Sequence, residues 1–395
     1  MKYLMRNSLF VFLSIMWFFS TPLLLKAKKV RKSLLILKIF PQKIDLEIND
    51  QKIKKSKYRT LVKKYLKHGK HKIKISANGY YSKILRIEIK KRKVLEVKLE
   101  KKSRYLLPYV KIKTGKRPKS VEFSPDGKLI ISGLLSGRGA NVINLKAKKK
   151  IAFLSPPKKY ARREGFVEVA FLEKRNEIWL SQMTTSRVHI FDMKSFRYKK
   201  TIRTRGNWSK VILIHPEKNL AFISNWVSKN ISVINTKKMK SIRRIKTSGI
   251  PRGMALSKDK KYLYAAIYDT GKIQKINLKN FRIIKTFGHK KGAKRHIVVD
   301  YQKNRLYVSD MRRDSISVYN LKNEKLMKEI YVGDHPNTIK LSSNKNFLFV
   351  SCRGPNNREN YEKKGPRFGR IYLIDTKKLK VIEWIWGGNQ PTGLD

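Results

Sequence analysis

Arginine side chains collect in short segments that separate apolar, strand-like runs of this chain. A guanidinium group can make a two-pronged contact with phosphate, sulfate or carboxylate, whereas lysine acts as a point charge. The arginines of these segments are Arg117, Arg138, Arg162, Arg163, Arg187, Arg205, Arg252, Arg295, Arg312, Arg313, Arg353, Arg358, Arg367 and Arg370. Aromatic residues lie among them, at Tyr160, Trp208, Trp226, Tyr268, Tyr361 and Phe368. Arginine with exposed aromatic rings suits stacking on bases or sugars, so the pattern predicts a binding surface.

The residues that we predict to contact a ligand belong to these segments. They are Arg138, Arg162, Arg163, Trp208, Trp226, Arg252, Arg295, His296, Arg312, Arg313, Arg353, Arg358 and Arg370. For Trp208 and Trp226 a second interpretation is open, in which they plug gaps between neighbouring sheets. His296 also has a structural alternative, as a histidine satisfied within the fold.

No sequence motif for catalysis or for a cofactor is present. The chain lacks an HExxH helix, a GxSxG elbow, a Walker loop and a GxGxxG turn after a strand. Its single cysteine, Cys352, excludes an internal disulfide and a cysteine-built metal site. We therefore predict no catalytic residue, no metal ligand and no cofactor, although a missing motif does not exclude an enzyme.

The segments are positioned by a repeat. Phrases such as ISVIN and ISVYN recur, and their last polar residues are 144, 192, 235, 277, 320 and 375, giving steps of 48, 43, 42, 43 and 55 residues. Each period divides into four strand-like runs, which in the third copy are 210–214, 219–224, 231–235 and 241–246. No period shows a helical pattern. A period in the low forties made of short strands predicts an all-β propeller of four-stranded blades.

Six complete blades are predicted between residues 115 and 386, with two strand-like remnants outside them. The remnant at 108–113 resembles an outer strand and that at 391–395 an inner strand. Together they predict a seventh blade that lacks its middle strands, as in a sequence shortened by about 25 residues. A ring of six blades with spare strands is the alternative.

The lead-ins to the blades carry a family resemblance. Gly-x-x-Pro sequences at 115–118, 249–253, 333–336 and 388–393 precede inner strands, and LYVSD at 306–310 precedes ISVYN. Over residues 106–395 the chain resembles the YVTN family of β-propeller repeats, which occur in bacterial exported and surface-layer-like proteins. The second repeat departs most, because YARREGF replaces the Gly-Pro lead-in and LEKRNE replaces the turn SPDG.

Residues 1–101 have a different character. A basic head precedes the apolar run 9–25, so we predict a signal peptide or N-terminal anchor over 1–27, and export to the periplasm or cell surface. Alternating strands over 33–101 predict a small β-sandwich. LKHGKH at 66–71 with Gly79 and Tyr80 resembles the PEGA domain, a small sandwich common on exported proteins, although PQKI at 41–44 replaces its tetrapeptide.

Charge distinguishes the two faces of the predicted propeller. The chain has 94 Lys and Arg against 27 Asp and Glu, a net charge of +67, which attracts polyanions. An AT-rich genome could account for much of the lysine, but the arginines fall in the lead-ins and the loops joining strands two and three, which share one face. The long loop 352–370 explains the 55-residue step and is predicted to be a lid or contact element over the central pore.

These patterns favour an exported, non-catalytic binding scaffold whose arginine-rich face engages an anionic envelope glycan, a lipid phosphate or an acidic protein. Nucleic acid is a further candidate ligand, since backbone charge alone can hold it. An uncleaved N-terminal segment would add a membrane contact. The alternatives are a propeller enzyme, such as a lactonase or a quinoprotein-like oxidoreductase, and a structural protein–protein assembly module.

Overall fold

The computed structural model describes residues 30–53, 61–107, 110–289, 291–360, 363 and 365–395. The segment 1–27, predicted as a signal peptide or anchor, therefore lies outside the described residues. Among the residues described, no helix is both long and apolar enough to cross a lipid bilayer. The chain divides into two compact units, Met1–Leu99 and Glu100–Asp395.

The N-terminal unit consists of two small sheets around one apolar core. Its strands are β1 (Lys32–Phe40), β2 (Asp45–Ile48), β3 (Gln51–Lys52), β4 (Leu61–Lys67), β5 (Gly69–Ser76), β6 (Lys83–Ile89) and β7 (Lys93–Lys98). One sheet has the order β4-β1-β7 and the other β3-β2-β5-β6. Leu35 and Leu37 of β1 meet Ile73 and Ile75 of β5 in a fully buried cluster. Alternation of such residues with charged ones explains why each sheet buries one face.

The second unit contains six four-stranded antiparallel sheets, each built from consecutive strands. The first sheet consists of β8 (Glu122–Phe123), β9 (Leu129–Gly133), β10 (Ala140–Asn144) and β11 (Lys149–Leu154). The second consists of β12 (Phe166–Leu172), β13 (Glu177–Gln182), β14 (Arg187–Asp192) and β15 (Tyr198–Arg203). The third consists of β16 (Ser209–His215), β17 (Leu220–Asn225), β18 (Asn230–Asn235) and β19 (Lys240–Lys246). A short helix, α1 (Lys158–Ala161), lies in the lead-in to the second sheet, where no helix was predicted. The longer YARREGF lead-in leaves room for this turn.

The remaining three sheets repeat the same order. The fourth sheet consists of β20 (Pro251–Leu256), β21 (Tyr262–Ile267), β22 (Lys272–Asn277) and β23 (Arg282–Phe287). The fifth consists of β24 (Lys294–Asp300), β25 (Arg305–Asp310), β26 (Ser315–Asn320) and β27 (Leu326–Tyr331). The sixth consists of β28 (Pro336–Leu341), β29 (Phe347–Cys352), β30 (Arg370–Asp375) and β31 (Lys380–Trp386). The predicted all-β fold of four-stranded propeller blades is confirmed, and the six sheets are blades one to six.

Apolar side chains of consecutive blades share each core. Phe222 and Val233 of blade three pack in one cluster with Met254 and Leu263 of blade four. Every residue of β17 is buried, because a middle strand of a blade is covered on both faces by its neighbours. The blades therefore stack face to face, as burial of both sheet faces requires.

Residues 391–395 lie between blade six and blade one. The carbonyl of Thr392 accepts a hydrogen bond from the Thr338 hydroxyl of β28, and the Thr392 hydroxyl donates to the carbonyl of Lys119 at 3.0 Å. A Cβ added to Gly393 would come within 2.9 Å of the Ser120 backbone. Residues 391–395 thus lie beside the inner strands of both blades, and the choice between a ring of seven blades and a ring of six stays a prediction. Residues 110–113 form no strand, since the described chain offers no adjacent strand with which an outer strand could pair.

The lead-in of each blade meets the loop that joins its second and third strands. In all six blades an amide of that loop donates to a carbonyl of the lead-in. The donor and acceptor pairs are Leu135 and Arg117, Met183 and Gly165, Trp226 and Trp208, Tyr268 and Ile250, Met311 and Ala293, and Arg353 and His335. These twelve residues are therefore on one face of the propeller, which we call the lead-in face.

Candidate functional site

The inner strands bring cationic side chains from four blades to one register position. Ser209, Pro251 and Lys294 are the first residues of the inner strands of blades three, four and five, and each pairs with the last residue of the second strand of its blade. In blade one Pro118 makes the equivalent pair, an isolated bridge with Leu134. The residue that follows each of them is a cation. These four residues, the channel cations, are Lys119, Lys210, Arg252 and Arg295. Blades two and six carry Val167 and Asn337 at this position.

The channel cations lie close enough to repel one another. Burial lowers the pKa of the Lys119 ammonium well below its usual value, and the positive charges of Arg295, Arg252 and Arg353 lower it further. Burial also lowers the pKa of Lys210, again with Arg252 and Arg295 as the next contributors. Their mutual effects on pKa show that these side chains, which come from the inner strands of four blades, lie close together, and we call the space between them the channel.

Glu168 of β12 is the carboxyl group that faces the channel cations. Burial raises the pKa of Glu168 to about 8, the Glu122 carboxylate raises it too, and Arg295, Lys119 and Arg252 act in the opposite direction. Burial likewise raises the pKa of Glu122 to about 7. At neutral pH Glu168 is therefore mainly protonated and leaves the positive charge of the channel largely uncompensated.

Aromatic rings surround two of the channel cations. The Arg252 guanidinium carbon lies 3.8 Å from the centre of the Trp226 ring, and the Lys210 ammonium lies 3.7 Å from it. Tyr268 is 5.1 Å from Arg252, and its ring meets Trp226 edge to face at 6.1 Å. The Trp208 ring also meets Trp226 edge to face, with 5.8 Å between the ring centres, and Trp208 is 43% exposed. These contacts hold the cations in place and leave one ring open to solvent.

Several buried donors near the channel have no hydrogen-bond partner among the described residues. They include the Nε of Arg252, a residue only 5% exposed, and the Nδ2 of Asn337. Asn337 Oδ1 is engaged by the Nε of Arg295. Buried polar groups are normally satisfied, so unpaired donors beside like charges are typical of a site that accepts an anion.

His296 and Arg353 complete this group. Burial, followed by repulsion from Arg295, lowers the pKa of His296 to about 4, so the imidazole is neutral at pH 7. Its Nδ1 is a buried atom without a hydrogen-bond partner among the described residues, while the ring interacts with the backbone of Ile339. Arg353 is 4% exposed and donates to Gln390 Oε1 at 2.5 Å.

The other predicted ligand residues have separate surroundings. Arg313 forms a two-pronged ion pair with Glu329, at 3.0 and 3.2 Å, and so is already neutralised within the chain. Arg370 stacks on Trp384 at 4.2 Å and donates to the Tyr372 hydroxyl. The remaining ones are exposed at the surface, and they are Arg138, Arg162, Arg163, Arg312 and Arg358.

The described part of the long loop folds back onto its own surroundings. Arg367 pairs with Asp334 at 3.1 Å, and the amide of Gly354 donates to the Asp334 carbonyl. Gln390 Nε2 donates to the carbonyl of Lys363 at 2.9 Å. The loop is thus anchored on the lead-in of blade six and on residues 387–390, while its start, Arg353, reaches the channel group.

Sequence reasoning found Arg252, Arg295, His296, Arg353 and Trp226 but missed Lys119, Lys210 and Glu168. The two lysines resemble the many solvated lysines of the chain, and Glu168 lies within an apolar strand and not in a turn, where the other carboxylates concentrate. The signal that could have found them is positional. Aligning the inner strands so that Pro118, Ser209, Pro251 and Lys294 coincide places 119, 210, 252 and 295 in one column.

No group of three or more His, Cys, Asp or Glu that could hold a metal ion occurs within the described residues. The Cys352 thiol is 1% exposed, and burial raises its pKa, so it is a packed side chain and not a nucleophile. The chemistry that this arrangement offers is electrostatic recognition of negative charge.

Fold and site together define a β-propeller with a basic central channel, and the comparisons agree with the fold. No protein-family model matches the chain. The chain is 44% identical over 293 residues to Antigen Lp49 of Leptospira interrogans serogroup Icterohaemorrhagiae serovar copenhageni (strain Fiocruz L1-130), an alignment covering 72% of this chain and 64% of that protein. It thus spans less than two thirds of that relative.

Among solved structures the chain is similar to the hydrazine synthase of Kuenenia stuttgartiensis. The TM-score is 0.58 at 16% sequence identity, and the match covers 74% of this chain and 91% of that one. At this identity the likeness supports the propeller fold and nothing about activity.

Proposed function

We propose that the protein is an exported, non-catalytic binding scaffold whose basic channel and lead-in face engage an anionic ligand. The observation that carries this proposal is the collection of four cations, one buried and three half-buried, beside a carboxyl group whose pKa is about 8. Holding like charges out of water is costly, and an anion that enters the channel offsets that cost.

Export is supported by three observations. The name of the relative in Leptospira interrogans describes it as an antigen. The sequence pattern over residues 1–27 suits a signal peptide or anchor. The YVTN-type repeats and the PEGA-like segment over 33–101 resemble modules of exported proteins. An exported location makes an envelope glycan, a lipid phosphate or an acidic protein a more accessible ligand than nucleic acid.

A propeller enzyme and an assembly module are the competing functions. A calcium-dependent lactonase needs carboxylates at the hub, whereas the inner strands here supply lysine and arginine at the corresponding register. A quinoprotein-like oxidoreductase would need a cradle for its cofactor. An assembly module would form a stoichiometric protein complex that resists moderate salt, because apolar contacts are not screened.

The test is salt-titrated binding of the full-length chain to lipopolysaccharide, peptidoglycan, a sulfated glycan and single-stranded DNA. Arg252→Gln/Arg295→Gln removes two channel charges, and Lys237→Ala/Lys238→Ala removes two charges from a turn away from the lead-in face. We expect the channel variant to weaken binding of one ligand by at least about tenfold and the turn variant to leave it almost unchanged. Equal weakening of every ligand by both variants would show diffuse charge and no site.

A further inference from the structure

A groove beside the outer strand of blade three shares no residue with the channel group. It has a volume of about 880 Å³, which is in the size range of ligand-binding clefts. It is lined by Arg205, Val227, Ser228, Lys229, Asn230, Ser241, Arg243, Arg244, Lys246, Thr247 and Ser248. Five of these side chains are cationic, and none is a carboxylate. We propose that this groove, the β19 groove, binds a stretch of polysaccharide that carries several sulfate or phosphate esters.

Only one of the five cations of the groove is paired with a carboxylate of the described residues. Lys229 pairs with Asp269 at 3.3 Å, on the surface. Arg205, Arg244 and Lys246 have no carboxylate partner among the described residues. The Arg244 guanidinium donates to the carbonyl of Arg205 at 3.2 Å, which orients it across the groove and leaves its other donors available.

Strand geometry explains why these side chains point the same way. In β19 the buried Ile245 separates the exposed Arg244 and Lys246, so the two cations share the face opposite to Ile245. Their partners in the neighbouring strand are Ser232 and Asn230. A second row of polar side chains therefore lies beside the row of charges.

The cation at this register is particular to blade three. Arg244 of the outer strand pairs with Ser232 of the third strand. None of the other five blades has an arginine at the equivalent position of its outer strand. The residues at that place are Phe153, Thr201, Thr286, Glu329 and Trp384. An excess of basic residues over the whole chain does not explain an arginine in one blade where the others carry none.

The lining of the groove favours a saccharide over a nucleic acid. No aromatic ring lines it, whereas sites for single-stranded nucleic acid stack bases on aromatic side chains. Apart from Val227, residues with hydroxyl or amide side chains supply the rest of the lining. Such groups match the hydroxyls of a sugar, while the arginine forks match sulfate or phosphate.

The experiment is calorimetric titration of the full-length chain at fixed salt with a heparin-type oligosaccharide, its desulfated counterpart and a phosphate-bearing oligosaccharide. Arg244→Ser/Lys246→Ser removes charge from the groove. Lys149→Ser/Lys150→Ser removes the same charge from the exposed outer strand of blade one and is the matched control. We expect the groove variant to lose at least about tenfold in affinity for the charged oligosaccharides and the control less than about twofold.

Further variants and ligands in the same titration distinguish this proposal from the channel proposal and from binding of nucleic acid. Arg252→Gln/Arg295→Gln should leave oligosaccharide binding by the groove intact, so failure of the channel proposal and of this one are distinguishable. Arg244→Lys keeps the positive charge but loses the two-pronged contact of the guanidinium group, so its affinity should lie between those of the wild type and the groove variant. The sulfated and phosphorylated arms show which ester is preferred. The proposal is overturned if the wild-type protein binds neither charged oligosaccharide, or if the groove and control variants lose affinity equally. It is also overturned if single-stranded DNA of matched charge binds the groove more tightly than the oligosaccharides do.

Discussion

At the scale of single residues, the channel differs from the rest of this basic chain because its cations are withdrawn from water to a large extent: Arg252 is buried, and Lys119, Lys210 and Arg295 are half-buried. Surface lysines are solvated and contribute little to recognition beyond long-range attraction. Lys119 and Lys210, in contrast, are half-buried, and desolvation and neighbouring cations lower their pKa values, so they gain most from a negative partner. The same burial keeps Glu168 protonated at neutral pH.

Glu168 predicts how anion binding depends on pH. Raising the pH from 6 to 9 carries Glu168 through its pKa of about 8, adds a negative charge to the channel and weakens binding of an anion. We expect affinity to fall about tenfold over this range for the wild type and to fall less for Glu168→Gln, measured by calorimetry at constant ionic strength.

The same group predicts a change in folding stability. The pKa of Glu168 is raised from 4.5 to about 8 in the folded chain, so between these values the folded state binds more protons than the unfolded state. Stability contributed by this group therefore falls as pH rises through that window. Urea unfolding of Glu168→Gln should lack this loss. Identical pH profiles for the two proteins would contradict the assignment of Glu168 to the channel.

At the scale of elements, the inner strands of adjacent blades approach so closely that side chains are excluded at particular positions. A Cβ added to Gly253 in β20 would lie 2.7 Å from the Cα of His296 and 2.8 Å from the nitrogen of Ile297, both in β24. Gly393 stands in the same relation to Ser120 of blade one. The absence of a side chain at Gly253 thus sets the spacing of the strands that carry Arg252 and Arg295.

Gly253→Ala is expected to lower the free energy of unfolding by about 1–3 kcal/mol, because the clash is with backbone that cannot rotate away. Gly388→Ala is the matched control, since an added Cβ there meets nothing within 4 Å. Denaturant unfolding of both variants measures the difference. Ligand binding should weaken in Gly253→Ala as well, as the two arginines move apart. Equal stability of the two variants would contradict this packing.

At the scale of the whole molecule, residues 391–395 connect the last blade to the first. Asp395 accepts a hydrogen bond from the amide of Phe123 at 2.6 Å and forms an ion pair with Lys340 of β28. Lys340 is also 3.9 Å from Glu122. Blade six and blade one are therefore joined through charged groups as well as through Thr392.

Asp395→Asn is expected to lower the free energy of unfolding by about 1–3 kcal/mol, because Lys340 loses its nearest carboxylate and Phe123 a charged acceptor. Asp50→Asn serves as the control, since its ion pair with Lys72 is exposed and worth under about 1 kcal/mol. Thermal unfolding at one ionic strength compares them. An unchanged midpoint for Asp395→Asn would show that this contact does not hold the two blades together.

Much of the fold could be predicted from the sequence because its determinants are local. The recurring phrase, the period in the low forties and the turn residues specify four short strands per blade, and those strands pair with their immediate neighbours in the chain. The grouping of lead-ins with the loops between strands two and three follows from the same connectivity. Placement of the arginine-rich segments on one face therefore needed no coordinates.

What the tertiary structure decided is which charges meet. Lys119 and Arg295 are neighbours in the channel although three blades separate them in the chain, and no local pattern records that contact. Arg313 matched the arginine pattern equally well but is neutralised by Glu329 across its own blade. Burial, which gives Glu168 its raised pKa, depends on side chains from several blades at once. The sequence by itself determined the architecture through local pairing, whereas the charge state of the site arises from distant residues brought into one desolvated space.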